Sequence, residues 1–350
     1  MIPLGNEAKS WVCKRTNKGG IGLGHWAQLT WQSVWFERNW EIQKRYAERF
    51  PLLTDPVFVV GLWRSATTYL HSLLSDLPSL LAPQTWQCMA PSTFALLGRP
   101  RHSKQIKRPM DQHIIGTETA QEDEFALMAL GIPSAYLGFF RPDRLPDLRT
   151  VVDPEYWELQ HGDRWYEEWI CFLEMIENKG GRRLLLKSPG HLFRLPSLAL
   201  RFPKSKWIYV YREAQHCLRS NRKMWAAMFD EYAISRGSVE SLDEFLEVAC
   251  LGAINSLDWM AEHMRKDSFI GISFDELVRA PAAVIERIEN FLRGRDQAGF
   301  NCRNLHITDD VSTDACGQGE KICVSDRLYE ISQLLNVKHE TLFTQGIFNV

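Results

Sequence analysis

Four stretches of this chain follow one pattern: a short continuous run of apolar residues gives way to a turn and then to a segment with helical spacing. The first is Pro56-Val-Phe-Val-Val60, followed by the turn Gly61 to Thr68 and a helix over Thr67 to Leu77. The second runs through Arg183-Leu-Leu-Leu-Lys187 into Ser188-Pro-Gly-His191 and a helix over 191–201. The third runs through Lys206-Trp-Ile-Tyr-Val-Tyr211 into Arg212 and a helix over 213–229. The fourth, Phe269-Ile-Gly-Ile-Ser-Phe-Asp-Glu-Leu277, is a strand and an acidic turn, with a helix after Pro281. The apolar runs are unbroken, as in strands buried on both faces. Strands that alternate with helices predict a central parallel sheet flanked by helices, an α/β fold.

Around this core the pattern changes. Residues 7 to 50, with Trp11, Trp26, Trp31, Trp35 and Trp40 among basic residues, read as one or two amphipathic helices packed on the sheet domain, the aromatic stripe being core. Further helices are predicted over 118–130, 163–178 and 241–266. Between Pro78 and Thr117 the periodicity is lost and Arg99, Arg101, Lys104, Lys107 and Arg108 lie close together. Such a basic loop is ordinarily a solvated face, and its other use is to hold or attract an anion. Residues 296–322 read as a long loop, followed by short helices near 324–335 and 338–344. No internal repeat or low-complexity tract interrupts the chain.

Composition narrows the class. At 350 residues, 45% hydrophobic and 24% charged, the chain suits one large α/β domain, residues 1–350, with a core at 56–295, a helical extension at 1–55 and a loop with terminal helices at 296–350. A formal charge of −2 gives no reason to expect nucleic acid as a partner. No apolar segment precedes a cleavage site and none approaches the roughly 18–20 residues that span a bilayer, so the default location is the cytoplasm. Eight cysteines without paired spacing argue against a disulfide framework. Cys302, His306, Cys316 and Cys323 match no familiar zinc module, and no metal site is assigned.

The candidate chemistry sits at the strand ends. A turn from Gly61 to Thr68 at a helix N-terminus presents free backbone N–H groups where the dipole favours an anion, and Arg64, Ser65, Thr67 and Thr68 add a cation and hydroxyls. A nucleoside triphosphatase loop would need Gly at Ala66 and Lys at Thr67, which weakens a kinase or NTPase reading. Arg212 ends its strand and Ser220 lies eight positions on, about 12 Å along a helix, within reach of an Arg that folds back. A guanidinium fork and a hydroxyl suit a phosphate dianion. Lys187 ends an apolar strand at the edge where open parallel sheets bind ligands.

Gly61-Leu-Trp-Arg-Ser-Ala-Thr-Thr68, continuing through Leu70-His71, resembles the 5′-phosphosulfate loop of the sulfotransferases, which use 3′-phosphoadenosine 5′-phosphosulfate (PAPS) as sulfuryl donor. Lys187-Ser-Pro-Gly-His191 resembles a stretch of a large, mostly bacterial branch, as do Pro109-Met-Asp111, Gln121-Glu-Asp-Glu-Phe-Ala-Leu127 and the 269–277 segment. The likeness covers residues 56 to about 295. It implies a P-loop NTPase-like three-layer sandwich in which the loop, Gly61, Trp63, Arg64, Ser65, Ala66, Thr67 and Thr68, holds the 5′-phosphosulfate. By the same likeness Arg212 and Ser220 bind the 3′-phosphate, Lys187 lies beside the bridging oxygen, and no metal is required. The product nucleotide would be 3′-phosphoadenosine 5′-phosphate (PAP).

The acceptor is expected to be a hydroxyl or amine of a small molecule, lipid or carbohydrate, and a homo-oligomer is left open. Relatives carry an acid about twenty residues past the loop, where this chain has Trp86-Gln87. The general base is therefore sought at Glu122, then Glu124, with His71 and His191 as further candidates. Trp63 and Ala66 stand where relatives usually have Pro and Gly. If position 66 needs a positive φ, Ala costs about 1 kcal/mol there. The alternatives are a nucleotide kinase or NTPase, and a non-catalytic nucleotide-binding protein.

Overall fold

A computed structural model describes residues 4–14, 22–102, 105–111, 114–161, 163–176, 181–294 and 325–344. Its centre is a five-stranded parallel sheet. From one edge to the other the strands are Leu80–Leu81, Arg183–Lys187, Val57–Val60, Lys206–Tyr211 and Phe269–Ser273. Val57–Val60 is central, with Val57 opposite Leu185 on one side and Lys206 on the other. The three strand ends that carry the candidate chemistry, at Val60, Lys187 and Tyr211, are therefore neighbours at one edge.

Period-two alternation sends successive side chains to opposite faces, and here both faces are dry. Val57, Val59, Leu185, Ile208, Val210 and Ile272 pack with Leu70 and Leu74 of helix Thr67–Ser75 and with Val284, Ile285 and Ile288 of helix Pro281–Arg293. Phe58, Val60, Leu184, Leu186, Trp207 and Tyr209 face the other layer, with Trp169 and Phe172 of helix Arg164–Ile176 and Phe245, Ala249 and Leu257 of helix Val239–His263. The result is the expected helix, sheet, helix sandwich. Phe58 stacks on Trp207 with ring centroids 4.3 Å apart.

Several boundaries depart from the sequence pattern. The 118–130 segment is helical only over Glu124–Ala129, because Gln121 N–H donates to Pro83 O at 2.8 Å and Gln84 bridges Ala120, which holds residues 120–121 extended. A 3₁₀ path, Ala135–Phe139 and Pro142–Val152, follows with no sequence signal beyond its prolines. The loop between Pro78 and Thr117 contains short helices Thr85–Met89 and Phe94–Leu97 and a hairpin pairing Gln105–Lys107 with Ile114–Gly116. At the C-terminal end one α-helix, Asp326–His339, runs into a single wider turn, Glu340–Thr344.

The N-terminal region forms helices Asn6–Cys13 and Leu23–Tyr46. The aromatic stripe read as core divides. Trp40 is buried and donates from Nε1 to Glu168 at 2.6 Å, whereas Trp26, Trp31 and Trp35 are exposed. The five described cysteines are free thiols. The Cys302, His306, Cys316 and Cys323 group and the 296–322 loop lie outside the described residues. No described helix is long and apolar enough to cross a membrane.

Candidate active site

The loop after the central strand is built by tight backbone geometry. Gly61 has φ +154°, and a Cβ there would lie 2.3 Å from Val210 O and 2.8 Å from Ser65 Oγ, so only glycine fits. Ser65 Oγ donates to Leu62 O at 2.8 Å and closes the turn. Arg64 and Ala66 both adopt left-handed backbone, φ +71° and +77°, the only non-glycine residues to do so among those described. Ala66 opens helix Thr67–Ser75, and Leu70 N–H donates to its carbonyl at 3.1 Å. Position 66 thus demands the conformation that glycine adopts freely. Ala66→Gly is expected to stabilise the fold by about 0.5–1 kcal/mol, read as a higher urea midpoint. An unchanged or lower midpoint would show that no strain resides there.

Trp63 is a core anchor. Its ring packs among Phe193, Trp225 and Phe245 at centroid separations of 5.9–6.3 Å, and Asn221 Nδ2 donates to its carbonyl at 2.8 Å. Of the loop residues expected to touch a ligand, Trp63 therefore offers backbone at most. Asn221, which no local pattern singled out, fixes the loop to helix Ala214–Tyr232.

Lys187 ties the loop to the rest of the site. Its buried Nζ donates to Thr68 Oγ1 at 3.1 Å and forms an ion pair with Glu122 Oε1. Tyr136 OH donates to the other carboxylate oxygen of Glu122. Burial pulls the Lys187 pKa below its ordinary value, the Glu122 carboxylate opposes this, and the nearby Arg108 cation adds to the depression. Burial and the same carboxylate push the Tyr136 phenol well up, so it remains a donor.

The three neighbouring acids are separated by their partners. Asp123 is fully buried and accepts from Trp169 Nε1 at 2.9 Å, with its oxygens 2.9 and 3.1 Å from His191 Nε2. Glu124 makes a bidentate pair with buried Arg194, 2.7 and 2.9 Å, and accepts from Ser188 Oγ at 2.6 Å. Burial alone would raise the Glu124 pKa, but the charge and hydrogen bonds of Arg194 bring it down to about 2. A Cβ on Gly190 would lie 2.6 Å from Glu124 Oε2, so this glycine lets the short helix after Lys187 settle on the pair. Only Glu122 of the three faces Lys187. His71 is buried, and desolvation with the Lys187 charge lowers its pKa to about 3.

The second candidate cluster is rearranged relative to expectation. Ser220 Oγ accepts from Arg64 Nε at 2.9 Å, which joins the 3′-phosphate candidate directly to the loop. Arg212 lies with its guanidinium carbon 4.1 Å from the Phe274 ring centroid. Glu213 caps the following helix, accepting from the N–H groups of Gln215 and His216 at 3.0 and 2.8 Å. The basic loop also reaches the site. Asp111 Oδ2 is shared by Arg64 Nη1 at 3.0 Å and Arg108 Nη2 at 2.8 Å, and the buried Arg108 Nε has no acceptor among the described residues. Three cations, Arg64, Arg108 and Lys187, thus meet two carboxylates, Asp111 and Glu122, with a buried donor unspent. That surplus fits an anionic group.

At Gln87, where an acid was sought, the side chain accepts from Gln84 N–H at 2.7 Å in a capping box of helix Thr85–Met89. Trp86 Nε1 donates to Gln84 Oε1 at 2.7 Å. Among the described residues no cluster of His, Cys, Asp and Glu is arranged to hold a metal ion.

Comparison with known proteins accords with this arrangement. Two relatives, the omega-hydroxy-beta-dihydromenaquinone-9 sulfotransferases Stf3 of Mycobacterium bovis and Mycobacterium tuberculosis, are each 26% identical over 266 residues, covering 75% of this chain and 67% of theirs. Among solved structures, sulfotransferase STF9 from Mycobacterium avium superposes with a TM-score of 0.53 at 16% identity, over 76% of this chain and 69% of its own. Sulfotransferase STF1 from Mycobacterium tuberculosis gives 0.52 at 14% identity, over 89% and 82%. At these identities the structural likeness speaks for the fold. A model of the Sulfotransferase family matches residues 56–296, a span that takes in all four strand, turn and helix units and the residues gathered at Lys187. The chain belongs to the sulfotransferase family.

Proposed function

We propose that the protein transfers a sulfuryl group from PAPS to a hydroxyl of a lipid-like acceptor. The observation that carries this reading is the position of Lys187, whose ammonium touches Thr68 of the anion loop and Glu122 of the acidic segment at once. PAPS supplies the sulfuryl group and departs as PAP. The loop amides with Arg64, Ser65, Thr67 and Thr68 hold the 5′ end, and Arg212 and Ser220 bind the 3′-phosphate. Lys187 faces the charge that grows on the leaving oxygen, the kind of preorganised donor that acts mainly in the transition state. Glu122, oriented by Tyr136, accepts the acceptor's proton. Sulfuryl transfer needs placement and charge stabilisation more than covalent help, and Arg64, Arg108 and Lys187 supply the charge.

A lipid acceptor is favoured because the two Stf3 relatives are named for a hydroxylated menaquinone. His71, His191 and Glu124 are assigned supporting roles. A histidine with its pKa near 3 stays neutral at ordinary pH, and the other two side chains are engaged by buried partners.

The donor assignment is tested by calorimetry with PAP and no added metal. PAP should bind, and Arg212→Ala should weaken PAP by about tenfold or more while changing 5′-AMP, which lacks the 3′ group, within about twofold. Equal losses for both nucleotides would remove Arg212 from the 3′ site.

A further inference from the structure

Helix Leu23–Tyr46 carries apolar residues on two sides, and the domain covers only one. Leu29, Ser33, Phe36, Trp40 and Gln43 are buried against the domain. At about 100° per residue, Leu23, Trp31, Val34, Trp35 and Ile42 project on the opposite side. Leu23 is 87% exposed, Trp31 72%, Val34 61% and Trp35 41%. Contiguous exposed apolar surface of this kind marks a binding face.

The charges beside it are mainly basic. Arg38 and Arg45 lie within the same outward sector, exposed and without a carboxylate partner among the described residues. Of the carboxylates, Glu41 shares this sector and pairs with Lys44 at 2.6 Å, and Glu37 accepts from the Asn6 N–H at 2.6 Å, which leaves the sector with an excess of positive charge. Tryptophan with arginine on a solvent-facing helix is the combination that partitions to the headgroup region of a bilayer, where the indole N–H stays wet and the ring is buried.

The inner side of the same helix holds the segment that leads toward the chemistry. Gln43 holds the next segment by donating to Pro91 O and accepting from Ala95 N–H at 2.6 and 2.8 Å. In sequence the exposed Leu97, Arg99, which pairs with Glu118, and Arg101 come before Arg108 and Asp111 at the anion cluster.

We propose that the outer face of helix Leu23–Tyr46 docks the protein on an anionic lipid bilayer surface, from which the acceptor is drawn. A second copy of the chain fits this face less well, since a two-fold contact centred on it would oppose Arg38 and Arg45 to their own counterparts. Drawing the acceptor from the bilayer rests on the lipid-acceptor reading, whereas the docking itself stands on the helix.

The test is flotation with vesicles of phosphatidylcholine containing one-third phosphatidylglycerol, with tryptophan emission and PAP affinity read on the same samples. Wild type should float with the vesicles and its emission should shift to the blue. Trp31→Ser with Trp35→Ser, and separately Arg38→Glu with Arg45→Glu, should each reduce partitioning by about tenfold or more with PAP affinity unchanged. Failure of the wild type to float would overturn the proposal. So would variants that float equally well, or a wild-type dimer that the variants dissociate while vesicle binding is absent. Failure of the wild type to bind PAP would bear on the donor assignment alone and leave the flotation result to decide the docking surface.

Discussion

Glu122→Gln is expected to reduce turnover by about two to four orders of magnitude and to abolish the acidic limb of the pH–rate profile, while PAP binding stays within a few fold. The amide keeps the size of the side chain and can still meet Tyr136 and Lys187, so the loss isolates proton acceptance from packing. Glu124→Gln should behave differently. Weakening the partner of Arg194 leaves a buried guanidinium under-compensated, and the deficit appears in the melting midpoint more than in turnover. His71→Asn and His191→Asn form the competing arm. An active Glu122 variant alongside an inactive histidine variant would move the base to that histidine.

Lys187→Ala should lower turnover about a hundredfold or more, with PAP affinity again within a few fold. The separation follows from timing: the ammonium is aimed at charge that develops as the bond to the leaving oxygen breaks, and the product nucleotide has other cations to hold it. Single-turnover rates together with PAP calorimetry check both halves. Normal turnover would reduce Lys187 to a structural counter-ion of Glu122.

Much of this site was legible because its parts are local. An apolar run, a turn and a helix announce themselves within about fifteen residues, and the Lys187 and Arg212 strand ends need only the sheet edge to become neighbours. Contacts made by folding left no such trace. Nothing near Arg108 states that it will share Asp111 with Arg64, and nothing near Asn221 points to the Trp63 carbonyl. Gln87 looked like a missing acid, yet its amide is used as a cap. The Leu23–Tyr46 helix misled for a different reason. Apolar residues on both sides look like one core stripe until the domain covers one of them. The Ala66 question was posed correctly by its place in the turn, and only backbone angles could answer it.

The three consecutive acids look interchangeable on paper, but their buried partners make them a ratchet with one working notch. Asp123 is held by Trp169 and faces His191, and Glu124 is clasped by Arg194, so the backbone between them has no freedom to slide. Insertion or deletion of a single residue between Gln121 and Glu124 would turn a different carboxylate toward Lys187 and strand a guanidinium or an indole in the core. Substitution, not shift in length, is the route by which this segment can vary. An acid lost at 122 cannot be replaced by the two that follow it, because both are already spent on holding the place open.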